Sequence, residues 1–252
     1  MLLPWLSAEA AEPPPPVRVS IVAPAQVDAG APARLAVVLA VPKGWHIYWE
    51  NPGQSGLATD AQLTVTTGAP ARPIDVTGPR WPVPKRFVTD GLVSYGYEGD
   101  TGFVFDLVAP AADRLLLTAD VRWLLCKDLC VTGSGSATAT VPVRKGASKP
   151  SADPVAPYVA SLPVPFSQSG GTVSRTGGQL RVTVPGPGPV DVFPSTALEA
   201  VWAPVLTPSP DGGLVLVSPL PPAPDGAPLH LVVTRGEGAT RRGFTLDLSE
   251  SP

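Results

Sequence analysis

The two cysteines of this 252-residue chain are Cys126 and Cys130, in the stretch WLLCKDLCVTG (123–133). A thiol pair so closely spaced has three chemical uses. It can close a small structural loop, supply two ligands to a metal, or cycle between dithiol and disulfide. The metal use is the hardest to complete. The chain has two histidines and one methionine. His46 and His230 lie in separate predicted domains, so a closed four-ligand zinc site is difficult to assemble, although two thiolates suffice for Cu(I). A staple across a loop of about five residues removes only about 2 kcal/mol of unfolded-state entropy. The redox use needs a disulfide that an outside thiolate can reach and a second thiol that stays close enough to resolve the mixed disulfide. Lys127 and Arg122 favour a thiolate nearby and Asp128 opposes one, so the net electrostatic sign is open.

The flanking residues say how the sulfurs must be held. RLLLTADVRWLL (114–125) and SATATVPV (136–143) alternate apolar and polar residues with the period of a strand. Leu117, Ala119, Val121, Trp123 and Leu125 share one face, with Val131, Ala137, Ala139, Val141 and Val143 opposite them. Arg122, Leu124, Cys126, Cys130 and Thr132 fall on the other, polar face, so both cysteines are expected to point outward. On one extended strand their Cα atoms would stand roughly 13 Å apart, too far to bridge. A three-residue turn at Lys127-Asp128-Leu129 makes them a cross-strand pair about 5.5 Å apart, within bonding range.

Composition sets the frame. Hydrophobic residues make up 44% and charged residues 15%, with 34 prolines, 25 glycines and a formal charge of −3. The chain can fill a sizeable core. It has no basic block to meet nucleic acid. No apolar run approaches 18 residues, so no membrane-spanning segment is expected. The start, MLLPWLSAEAAEPPPP, reads as the tail of a secretory signal peptide followed by a Pro-rich leader (1–16), and two closely spaced cysteines with no others fit an oxidising compartment. Further strands are expected at 17–22, 33–41, 61–67 and 102–108. A Pro-rich joint follows at 148–165. Beyond it come a hairpin over 172–184 turning at Gly177-Gly178, strands at 213–218, 228–233 and 243–249, and a helix-like stretch from Ser195 to Trp202. The expectation is an all-β protein of two β-sandwich domains in tandem, over 17–147 and 166–252.

Four motifs occur in order: VPKGWHIYWENPGQSGL (41–57), RWPVPKRF (80–87), YGYEGD (95–100) and LLCKDLCVTG (124–133). Together they resemble the N-terminal periplasmic domain of the thiol:disulfide interchange protein DsbD and the ScsB-like family (suppressor of copper sensitivity), over about residues 17 to 145. DVFPSTALEA and RRGFTLDL resemble, more loosely, a second β domain that follows this module in ScsB-like proteins. The resemblance implies an immunoglobulin-like sandwich whose catalytic pair, Cys126 and Cys130, carries electrons with no cofactor beyond the redox-active disulfide and no metal. It implies a membrane electron transporter as donor and periplasmic thioredoxin-like or disulfide isomerase proteins as partners, with Cys130 meeting them. Tyr48 matches a tyrosine near the pair, and PKRFVTDG (84–91) is the counterpart of a capping loop, with Phe87 as the cap. Lys127 and Asp128 complete the candidate surround. The spacing of three is the ScsB-like form, but Thr132 stands where such chains often have proline. These 252 residues contain no thioredoxin motif. As a complete gene product the chain would borrow its electron source from a separate protein, which leaves the direction of flow open.

Two rival readings remain. One is a non-enzymatic interaction module with a structural disulfide; Trp45, Tyr48 and Trp49 would line its partner groove. Against that groove, Trp45 and Ile47 pack inward and Asn51-Pro52-Gly53 is a turn. The other is a Cu(I)-handling protein. His46, alternating with Trp45 and Ile47, reads as a surface strand residue. No G-x-S-x-G elbow supports hydrolase chemistry, and the Gly-rich turns lack the helix and lysine of a phosphate loop.

Overall fold

A computed structural model describes residues 15–146, 152–176, 179–195, 205–208, 214–218 and 229–248. The expected signal segment, the Gly177-Gly178 turn and most of the helix-like stretch from Ser195 to Trp202 lie outside them. The protein is all-β. In the N-terminal half the strands are β1 (Arg18–Val22), β2 (Val27–Asp28), β3 (Pro32–Ala40), β4 (Ile47–Gly53), β5 (Asp60–Thr67), β6 (Pro73–Ile74), β7 (Thr77–Arg80), β8 (Lys85–Thr89), β9 (Leu92–Tyr97), β10 (Asp100–Val108), β11 (Arg114–Cys126) and β12 (Cys130–Arg144). A helix α1 (Ala156–Ala160) leads to β13 (Val164–Pro165), β14 (Thr172–Thr176), β15 (Gln179–Thr183), β16 (Val190–Pro194), β17 (Val205–Pro208), β18 (Leu214–Ser218), β19 (Leu229–Arg235) and β20 (Arg242–Leu248).

The N-terminal half stacks a sheet β1-β3-β10-β7 on a sheet β2-β12-β11-β5-β6. Their facing side chains form one core of Leu35, Val37, Leu39, Phe103, Phe105, Leu115, Leu117 and their neighbours. The long β11–β12 hairpin keeps unbroken register from Arg114↔Pro142 to Cys126↔Cys130. Its alternation is the one the sequence predicts: Leu117, Ala119, Val121, Trp123 and Leu125 are buried, and the intervening residues up to Arg122 are exposed.

Two features answer to tertiary contacts. The run LAVVLAV in β3 is apolar on both faces because both are covered. Leu35, Val37 and Leu39 enter the main core, whereas Ala36 and Val38 meet Val155, with Tyr158 and Val159 packed alongside. Residues 155–159 of the Pro-rich stretch are therefore docked on the first sheet rather than slack. Tyr158 lies so close to Gly102 that a Cβ there would come within 2.2 Å of its ring. The second feature is a separate three-stranded sheet, β4-β9-β8, from the aromatic-rich motifs. Ile47, Tyr48 and Trp49 are all buried in succession, which a strand allows only when both faces are covered. Asn51-Pro52-Gly53 is the irregular end of β4, with a register shift between Tyr48 and Gly53, rather than a free turn.

The C-terminal half has two four-stranded sheets, β13-β20-β19-β16 and β14-β15-β18-β17. Its core holds Leu180, Val182, Val192, Leu231, Val233 and Phe244. Alternation splits β16 and β19 between two cores. Val192 and Val233 face their own core, whereas Phe193 and Val232 join the core of the N-terminal half. Trp49, Tyr95 and Phe193 meet edge to face there, with centroids 5.3 to 6.3 Å apart.

Gly96, paired with Tyr48, has no room for a side chain: a Cβ would stand 2.0 Å from the Ile47 carbonyl oxygen. Backbone cannot swing away as a rotamer can. Gly96→Ala is expected to destabilise the oxidised protein by about 1–3 kcal/mol in urea unfolding, as overpacking does.

Candidate functional site: a half-buried disulfide

Lys127, Asp128 and Leu129 form the loop of the β11–β12 hairpin, and Cys126 and Cys130 close it as a disulfide with Cα atoms 4.2 Å apart. The separation is shorter than the 5.5 Å expected, for a backbone reason. Cys126 spends its N–H and C=O on His46, at 3.0 and 2.9 Å, and not on Cys130. The cysteines are thus a non-hydrogen-bonded cross-strand pair, the kind whose Cα atoms approach to about 4.5 Å.

The two sulfurs differ in environment, which corrects the expectation that both face solvent. Cys130 is exposed. Cys126 is 1% exposed. The alternation of β11 does turn it away from the sandwich core, but the β4-β9-β8 sheet covers that side of the hairpin tip. Tyr48 lies under the pair and its hydroxyl donates to Cys126 Sγ at 3.1 Å. His46 Nε2 is 3.4 Å from the same hydroxyl. The His46 imidazole stacks on the Phe87 ring, centroids 4.5 Å apart and planes 16° from parallel. His46 is therefore not the surface strand residue expected: it forms an isolated bridge to Cys126 beneath Phe87. Alternation alone assigned it outward, because the strand that covers it is distant in sequence.

Local sequence explains the cover. Gly56 has φ +104°, and a Cβ there would lie 2.1 Å from the Tyr48 ring, so glycine lets the loop pass close over the phenol. Tyr48 is also fixed through its backbone, where Thr59 Oγ1 donates to its carbonyl at 2.6 Å. Of the three aromatics offered as a partner groove, Trp49 is enclosed against Tyr95 and Phe193, Tyr48 is buried under the disulfide, and Trp45 packs against the core.

Burial shapes the electrostatics. Desolvation lowers the His46 pKa from 6.5, opposed by the charge of Glu98. Desolvation likewise raises the Tyr48 pKa, so the phenol stays a donor at neutral pH. The nearby charges are largely paired. Lys127 and Asp128 form an exposed ion pair at 3.7 Å, and Arg122 is engaged by Asp60 at 2.5 Å. Among the described residues no group of three or more His, Cys, Asp or Glu is placed to hold a metal ion. None of their helices is long and apolar enough to cross a membrane.

The fold and the pair define an all-β protein with a redox-capable disulfide at a hairpin tip, one sulfur open and one covered. The chain belongs to the family of the thiol:disulfide interchange protein DsbD, N-terminal, whose model matches residues 15–142. A search of curated proteins finds no match. Among solved structures the chain is similar to the N-terminal periplasmic domain of ScsB from Proteus mirabilis, with 17% identity, 93% of this chain and 92% of that chain covered, and a TM-score of 0.60. At that identity the likeness concerns the fold.

Two outcomes are expected. In the reduced protein, brief iodoacetamide treatment should modify Cys130 roughly tenfold faster than Cys126, read by peptide mass spectrometry. His46 has its pKa lowered on folding, so the unfolded chain takes up the proton first. Its contribution to stability is complete above pH 6.5 and is lost as pH falls from there through the folded pKa. His46→Phe is expected to flatten the loss of stability between about pH 7 and 5, measured by denaturant unfolding at each pH.

Proposed function

We propose that the chain is a periplasmic thiol–disulfide exchange protein that passes reducing equivalents through Cys126 and Cys130. In this reading residues 17–147 are an immunoglobulin-like redox domain, 148–165 a joint and 166–252 a second sandwich. The observation that carries it is the asymmetry of the pair: Cys130 is open to an incoming thiolate, and Cys126 Sγ receives a hydrogen bond from Tyr48.

The chemistry follows from that placement. A thiolate of a reduced partner attacks Cys130 Sγ. The new S–S bond forms as the Cys126–Cys130 bond breaks, and the electron pair leaves on Cys126. The Tyr48 O–H already points at that sulfur and stabilises the developing thiolate, which lowers the barrier to its departure. The partner's second thiol then attacks the mixed disulfide and expels Cys130. The partner becomes a disulfide, this chain a dithiol, and two electrons and two protons have moved. The reverse sequence reduces the next protein, with Cys130 as attacking thiolate and Cys126 as resolving thiol.

The surroundings suit a protein partner. Leu129, beside Cys130, is 44% exposed, and Val88, beside Phe87, is 65% exposed. Apolar side chains next to the open sulfur and next to the cover offer a transient partner a contact without a deep pocket. A membrane electron transporter on the donor side and thioredoxin-like or isomerase proteins on the acceptor side fit this chemistry and the family.

The test is a trap. Cys126→Ser, mixed with an oxidised thioredoxin-like protein, should accumulate a mixed disulfide through Cys130, whereas Cys130→Ser should give none. Products are read on a non-reducing gel after acid quench. No adduct within minutes, with the wild-type disulfide still reducible by dithiothreitol, would overturn the carrier reading and leave a module with a structural disulfide.

A further inference from the structure

Cys126 is flanked on the β4 side by His46, its backbone partner, and by Tyr48, which donates to its sulfur, and Phe87 on β8 stacks on the His46 ring. β8 is the edge strand of its sheet, hydrogen-bonded to β9 alone. An edge strand held by one neighbour opens at low cost unless something else grips it. The grip comes from the C-terminal half. Arg86, next to Phe87 on β8, projects to the opposite face of the strand. Its guanidinium makes a two-pronged contact to the Asp191 carboxylate on β16: Nη2 donates to Oδ1 at 2.6 Å and Nε donates to Oδ2 at 3.0 Å. Nη2 also lies 3.3 Å from the Val192 carbonyl, and the guanidinium lies 5.4 Å from the Tyr95 ring centroid and 5.7 Å from that of Phe193. The pair is three-quarters or more buried, at 20% and 24% side-chain exposure. Just before β8, Arg241 Nη2 donates to the Pro84 carbonyl at 2.5 Å, and the Val83 N–H donates to the Ser161 carbonyl at 2.9 Å. β4 is held by the same strand of the other half. Asn51 Nδ2 donates to the Pro194 carbonyl at 2.8 Å, and the Ser195 hydroxyl donates to Glu50.

We infer that the C-terminal half sets the opening of the disulfide cover, and that Arg86 and Asp191 are its positioning residues, acting on Cys126 through Phe87 and the His46 ring on which it stacks. The arrangement is a lever: one face of β8 carries the ring that stacks on His46, and the other carries the cation that anchors the strand to β16. A bidentate Arg–carboxylate contact fixes orientation as well as distance, which a single hydrogen bond does not. Loss of one partner leaves the other charge buried and unpaired, so β8 gains from moving toward water. The inference rests on the reading of Cys126 and Cys130 as the exchange pair. It gives the C-terminal half a task within that reading: holding β8, and with it the ring stacked on His46, in place beside the resolving cysteine.

The experiment uses the full chain with Cys130→Ser, so that Cys126 is the only thiol, and measures its alkylation by iodoacetamide. Asp191→Asn is expected to speed modification roughly two- to thirtyfold, the scale of coupling between linked elements. Phe87→Ala should speed it as well, and the double variant should be no faster than Phe87→Ala alone, because both changes act through one cover. The chain has two histidines, so ring-proton NMR resolves His46 directly. Its signals should lose the ring-current shift of the Phe87 stack in Asp191→Asn, an effect that a loss of stability alone would not produce. If Asp191→Asn does not fold, Arg86→Lys, which keeps the charge and loses the fork, replaces it. A folded variant with unchanged alkylation and unchanged His46 signals overturns the inference, and so does a double variant whose effects multiply. The alkylation readout needs no partner protein, so a failed mixed-disulfide trap would remove the exchange reading while this result still decided the positioning.

Discussion

The site depends on one backbone exchange, the paired hydrogen bonds between Cys126 and His46. A hairpin tip with a three-residue loop would ordinarily stand free in solvent and fray. Here the last residue of β11 is joined to the residue just before β4, so the tip is fixed to the body of the protein. The same pairing decides which way Cys126 presents its sulfur and how closely Cys130 can approach it. It also sets the sulfur over Tyr48, two residues along from His46 and on the same side. Without that exchange the two cysteines would be equivalent groups at the end of a ribbon. With it, one sulfur is covered and the other open.

The two halves contribute unequal kinds of stability to this arrangement. The N-terminal sandwich is a conventional apolar core, and its long hairpin reaches the site as a rigid arm. The small β4-β9-β8 sheet has no core of its own. It is held between the sandwich and β16, and its aromatic residues serve both sides: Trp49 and Tyr95 pack on Phe193, while Tyr48 donates to Cys126 Sγ and Phe87 stacks on His46. A sheet placed this way transmits what happens on one face to the other, because side chains alternate along each strand. Through it the C-terminal half, remote in sequence, is connected by packing to the strand that carries Phe87.

The chemistry needs little beyond this geometry. Among the described residues the charges on and beside the loop are paired, Lys127 with Asp128 and Arg122 with Asp60. What remains is a hydrogen bond from a phenol kept protonated by burial, and a neutral imidazole kept neutral by the same burial. Neither places a permanent charge beside the covered sulfur. The exposed apolar side chains at the loop and at the end of β8 complete a surface that a second protein can cover briefly.

Much of this was legible in the sequence because it is local. The alternation from Leu115 to Leu125 gave the hairpin its inward face, and the three-residue spacing set the turn that brings Cys126 and Cys130 together. Both follow from bond geometry within about twenty residues of chain. The motifs GWHIYW and PKRF mark Tyr48 and Phe87 as neighbours of the pair by resemblance, while the burial of Ile47, Tyr48 and Trp49 in succession is not visible in the sequence, since a strand covered on both faces loses the alternation that reveals its sides. Only the tertiary structure decided that Cys126 is buried and Cys130 open, that His46 lies under Phe87, and that Arg86 reaches Asp191. Each of these depends on segments tens to a hundred residues apart meeting on one face, and a period of two along a strand records which side a residue takes, never what will come to cover it.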